Sequence, residues 1–197
     1  ALSLPVRTGK ARVIGIEPAS LVTKSLVREV KTDDAGCFQS ALNPGLTKIA
    51  VIERHKRTGK LGIGILEGYG LTGGAIATTI SHDSHNIVVA GDNDPDMLLA
   101  VRELADMGGG IVSVHGGAIR RLPLPIAGLM TSADPQEVNA VLHDMLVAAR
   151  AELGIPEDVE PFMTLSFMAL PVIPELKLTA RGLFNVNTFS FVGVEAD

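Results

Sequence analysis

Along the first ninety residues the apolar positions come in short runs bounded by glycine, proline and charge. "ARVIGIE" (11–17) ends at Pro18. "TKIAVIERH" (47–55) alternates, which puts Ile49, Val51, Glu53 and His55 on one face of a strand. "KLGIGILEGYG" (60–70) reads as a strand in which glycine signals bends or close backbone approach. "GAIATTIS" (74–81) and "NIVVAG" (86–91) complete this β-rich half.

The period then changes. Asp94 is placed to cap a helix and Pro95 suits its first position. Met97, Leu98, Val101, Leu104 and Ala105 make its apolar stripe, and "GGG" (108–110) stops it. "GIVSVHGGAIRRLPLP" (110–125) reads as a hairpin turning at Gly116-Gly117. A second helix opens at Asp134 with Pro135 and a capping-box Glu137. Val138, Val141, Leu142, Met145 and Leu146 face inward along it, and Gly154 ends it. The segment "PFMTLSFMALPVIPELKLT" (161–179) is apolar on all sides and broken by Pro171 and Pro174. It predicts buried irregular chain, part of it meeting another domain or subunit. The elements together predict an α+β fold: a mixed, mostly antiparallel sheet covered by two principal helices.

Composition narrows the function. With 46% apolar residues the chain can bury a core and is not disordered. Only 4% of residues are aromatic, none is Trp, and the net charge is -5, which argues against a nucleic-acid surface. The one basic cluster, "RHKRTGK" (54–60), reads as a solvated turn. No run approaches the roughly 20 apolar residues of a membrane span, and no signal-peptide layout is present. Cys37 stands alone, in keeping with a cytoplasmic protein.

The polar residues of interest crowd into "TTISHDSHNIVVAGDNDPDML" (78–98). His82 and His85 stand three apart with Asp83 between them, and imidazole with carboxylate suits Mn, Fe or Zn. Ser81 and Asn86 flank them as candidates for substrate contact. The same residues also fit a hydrogen-bonded turn between strands, in which the histidines satisfy backbone groups. "GDNDPD" (91–96) resembles half of a calcium loop but lacks the later glutamate, so it fits helix entry better. Glu53 and His55, on an apolar strand face, form either a structural ion pair or an acid–base pair. His115, beside a tight turn, and His143, on a polar helix face, read as surface residues. There is no GxSxG, P-loop, HxH, HExxH or CxxC, and the glycine-rich stretch "GIGILEGYG" (62–70) lacks the helix start that a phosphate needs.

Five segments, "KIAVIERHKRTGK", "GAIATTISHDSHNIVVAGDNDPDM", "GGGIVSVHGGAI", "LPLPIAGLM" and "PFMTLSFMALPVIPELKLT", resemble the C-terminal domain of bacterial adenine deaminases of the amidohydrolase superfamily. The resemblance runs from about residue 11 to residue 192. It implies a parent enzyme that hydrolyses adenine to hypoxanthine and ammonia with a metal-activated hydroxide. It also implies a binuclear Mn or Fe site in a (β/α)8 barrel expected N-terminal to residue 1. The barrel's HxH motif is absent, so residues 1–197 read as the accessory domain after it, inactive alone. The expected partners are adenine, the barrel of the same enzyme and further copies in a homo-oligomer. Two roles stay open: a wall of the purine pocket or auxiliary site, or a module for stability and oligomerisation.

Overall fold

A computed structural model describes residues 2–196. The expected α+β architecture is present. Eight strands, β1 (Lys10–Ile16), β2 (Thr23–Glu29), β3 (Leu46–Ile52), β4 (Leu61–Glu67), β5 (Gly74–Thr78), β6 (Ile87–Gly91), β7 (Gly110–His115) and β8 (Ala118–Pro123), form one sheet. Their order is β2-β1-β4-β3-β6-β5-β7-β8, and only the β1–β4 pair is parallel.

The two faces of this sheet are covered differently. On one face, α1 (Asp94–Asp106) seats Met97, Ala100 and Leu104 on Ala75, Ala77, Val89 and Val112. Alanine on the strands lets the helix approach closely, and burying each large α1 side chain contributes about 1.5–3 kcal/mol. On the other face, α2 (Pro135–Ala151) and α3 (Pro161–Phe167) pack over Ile49, Val51, Ile76, Val88 and Ile111. A second, three-stranded sheet completes that layer: β9 (Leu176–Thr179), β10 (Gly182–Asn185) and β11 (Ser190–Phe191), in the order β11-β10-β9.

Several expectations change. The 161–179 segment is not irregular throughout. Pro161 opens α3, the Glu160 carboxylate caps it by accepting the Met163 N–H, and the last four residues are strand β9. Phe162, Leu165, Met168, Leu176 and Leu178 are buried within the domain's own core, while Met163 is 56% exposed. β9 can lie against the large sheet because Gly62 has no side chain: a Cβ there would sit 2.0 Å from the Thr179 carbonyl oxygen. The cap of α1 is Asn93, whose side chain accepts the Asp96 N–H at 2.9 Å. Asp94 instead pairs with the buried Lys48 Nζ at 2.6 Å. Val141, expected to face inward, is exposed. Strand β2, charged and at the sheet edge, carries too few apolar residues to announce itself, and lysine and arginine suit an edge. No described helix is long and apolar enough to cross a membrane.

Candidate functional site

Strand register gathers the polar loops. Ile52 at the end of β3 pairs with Ile87 at the start of β6, and Thr78 at the end of β5 lies between Val88 and Ile111. The turn after β3 (53–60), the loop from β5 to β6 (79–86) and the segment after β8 (124–130) therefore emerge at one end of the sheet. All seven candidate residues, Glu53, His55, Ser81, His82, Asp83, His85 and Asn86, lie there.

Glu53 and His55 do not form the buried pair that alternation suggested. β3 ends at Ile52, so neither residue continues its buried face. The Glu53 carboxylate instead accepts the N–H groups of His55 (2.6 Å), Lys56 (2.7 Å) and Thr58 (3.0 Å), and the Thr58 hydroxyl (2.9 Å). These donors favour the ionised form, led by the Thr58 N–H, and hold its pKa down at about 2. The His55 ring points the other way. Its Nε2 faces the carbonyl oxygens of Ser84 (2.8 Å) and His85 (3.1 Å), so this nitrogen carries the proton and donates.

His82 and His85 are half-buried, with ring centroids 5.8 Å apart in an edge-to-face arrangement. The His82 ring also lies 4.6 Å from the Phe167 ring at the end of α3, and the His82 backbone N–H donates to the Ser166 carbonyl at 3.1 Å. Burial lowers the His85 pKa, and repulsion from His82 and Arg54 adds to it, so the neutral imidazole is favoured. Asp83 is exposed. Ser81 and Asn86 are buried: the Ser81 hydroxyl has no partner among the described residues, and Asn86 Oδ1 accepts the Arg54 N–H at 3.4 Å. Beside His82 runs a mainly apolar cleft of about 260 Å³, walled by Ile80, Ile111, Phe162, Met163 and Phe167.

A larger concavity, about 600 Å³, lies elsewhere, beside β1 and β2. It contains no histidine, and its Arg28 is already held by both Glu67 oxygens at 2.6 and 2.8 Å. The smaller cleft is the better candidate because it adjoins open imidazole edges.

Arg54 and Phe167 are the participants that the sequence did not reveal. Arg54 was hidden in a basic run that resembles solvated surface, and Phe167 in an apolar segment that resembles core. His115 and His143 take no part. His115 Nδ1 bonds the Gly73 carbonyl at 2.9 Å, and His143 is exposed on α2.

The donor set decides what this end can hold. Among the described residues no three His, Cys, Asp or Glu side chains converge as metal ligands. Two imidazoles edge-to-face are short of the complete set that Mn, Fe or Zn requires. The fold and site thus define an α+β domain that presents a histidine-bearing loop beside an apolar cleft. The chain belongs to the adenine deaminase C-terminal domain family, whose model matches residues 20–190. It is 60% identical over 195 residues to an adenine deaminase of Nitratidesulfovibrio vulgaris strain Hildenborough, covering 98% of this chain and 34% of that protein. An adenine deaminase 2 of Carboxydothermus hydrogenoformans is 48% identical, again over 98% of this chain and 34% of the relative. An adenine deaminase of Clostridium acetobutylicum is 45% identical over 97% of this chain and 34% of the relative. The chain spans about a third of the length of the curated relatives it matches.

Proposed function

We propose that this chain is the C-terminal part of a cytoplasmic enzyme that hydrolyses adenine to hypoxanthine and ammonia, and that its 79–86 loop forms one wall of the purine pocket. The observation that carries this reading is the convergence of His82, His85 and Phe167 beside an apolar cleft at one end of the sheet. The His82 and Phe167 rings offer π-faces to a heteroaromatic base, and the neutral His85 imidazole, whose Nδ1 accepts the Ser81 N–H at 3.4 Å, keeps its Nε2–H to donate to the base edge. Ser81 and Asn86 are buried, so they shape the loop rather than touch the base. Glu53, satisfied by four donors and held ionised, is a poor general base, and His55 fixes the loop backbone. Both therefore support the site and do not act on substrate.

The binuclear Mn or Fe centre that activates water belongs, in this reading, to a barrel formed by the rest of the enzyme. His82, Asp83 and His85 fall short of an auxiliary metal set. The barrel is the partner that meets this end of the domain, and homo-oligomerisation would use other surfaces.

The test is kinetic. In the full-length enzyme, His82→Ala and His85→Ala should each lower kcat/KM for adenine about tenfold or more, the equivalent of about 1.4 kcal/mol of transition-state binding. His143→Ala should leave it unchanged. If all three variants keep wild-type kcat/KM and differ only in melting temperature, the domain is a module for stability and oligomerisation.

A further inference from the structure

We infer that Arg54 is a positioning residue that locks the histidine loop and couples it to the turn after β8. Its guanidinium makes two directed bonds to two different segments: Nε donates to the His85 carbonyl at 2.6 Å, and Nη2 donates to the Ala127 carbonyl at 2.7 Å. Both acceptors belong to non-glycine residues in the left-handed region, His85 with φ 47 and Ala127 with φ 58. Side chains rarely adopt that conformation, and it persists where surrounding contacts over-determine it. One guanidinium thus holds two of the five non-glycine residues that have positive φ among those described.

The neighbouring contacts tighten the same clamp. The His55 ring bonds the His85 carbonyl from a second direction, at 3.1 Å, and the His85 N–H donates to the Ser81 carbonyl at 2.5 Å. The guanidinium lies flat over Gly128, where an added Cβ would sit 2.8 Å from Nη2. From the loop side, the Thr79 hydroxyl donates to the Gly128 carbonyl at 2.6 Å. The 79–86 loop and the 124–130 turn are therefore joined through Arg54 and Thr79. Lysine cannot replace the fork, since one ammonium on a flexible stem lacks the planar donors that reach both carbonyls. The orientation of the His85 ring follows from its backbone, so Arg54 sets it without touching substrate.

Only the kinetic consequence rests on the proposed role of the loop. The experiment therefore has two readouts in the full-length protein: amide hydrogen exchange across 79–86 and 124–130, and kcat and KM for adenine. Arg54→Ala and Arg54→Lys should both speed exchange about tenfold in the two segments together, as expected for losing hydrogen bonds to a charged group. kcat should fall more than KM rises. Arg102→Ala, on the exposed side of α1, should change neither readout. Faster exchange with unaltered kinetics would support the clamp and refute the loop's place in the purine pocket. Unaltered exchange, or full restoration by lysine, would overturn the clamp. If the Arg54 variants do not fold, Gly128→Ala crowds the guanidinium while also straining a backbone held at φ 76, so loosening that reaches 79–86 would support the coupling and loosening confined to 124–130 would overturn it.

Discussion

Where β5 begins and β6 ends, Asp92 accepts the N–H groups of Gly73 (2.5 Å) and Gly74 (3.0 Å), Asn93 caps α1, and Asp94 pairs with the buried Lys48. Where β5 ends and β6 begins, Glu53, Arg54 and His55 are also bonded to backbone, yet the His82 ring beside the cleft and the Nε2 edge of its neighbour His85 stay open among the described residues. Both ends carry clusters of polar and acidic side chains. What separates them is how many polar groups the fold itself satisfies. A cluster whose donors and acceptors are all matched internally is scaffold, and one that leaves aromatic polar edges unmatched is available for a ligand.

This comparison predicts opposite phenotypes. The largest stability effect belongs to the closed end. Asp94→Ala strands the Lys48 ammonium, whose side chain is 3% exposed, with the Leu2 carbonyl as its remaining acceptor. Breaking a buried pair costs about 3–5 kcal/mol, reduced here to about 2–3 kcal/mol because Asp94 is itself partly solvated. Melting temperature should drop clearly, with kcat/KM of the folded fraction unchanged. The histidine variants described above should show the reverse pattern, and a variant at the closed end that abolished turnover without unfolding would break the contrast.

A smaller effect sharpens it. Glu53 has a folded pKa of about 2 against an ordinary 4.5, so its hydrogen bonds stabilise fully above pH 4.5 and that contribution disappears as pH falls through 2. Melting temperatures of wild type and Glu53→Gln should therefore differ at pH 6 and converge as the pH falls towards 2. A constant difference across that range would mean that the turn does not depend on the carboxylate charge.

The strands and two long helices were legible because their signals are local: alternation in β3, glycine at the 116–117 turn, and Pro95 and Pro135 at the helix starts. β2 and the second sheet were not, since Thr23 holds its place by bonding Pro174 and Leu176 about 150 residues away, a link that no period announces. α3 is hidden in the sequence because Pro171 and Pro174 break the apolar run after it, whereas Pro161 starts a helix instead of breaking one. At the candidate site, the histidine cluster was visible as composition. Its clamp was not. Arg54 acquires its role from the pairing of Ile52 with Ile87, which brings a basic turn onto the carbonyls of a distant loop.

Photolabelling of the full-length enzyme with an azido-substituted adenine, followed by peptide mapping, tests the central claim most directly. If the 79–86 loop walls the purine pocket, the label should appear on peptides containing residues 79–86 or Phe167 and be displaced by excess adenine. Displaceable labelling found only on peptides outside this chain would contradict the account.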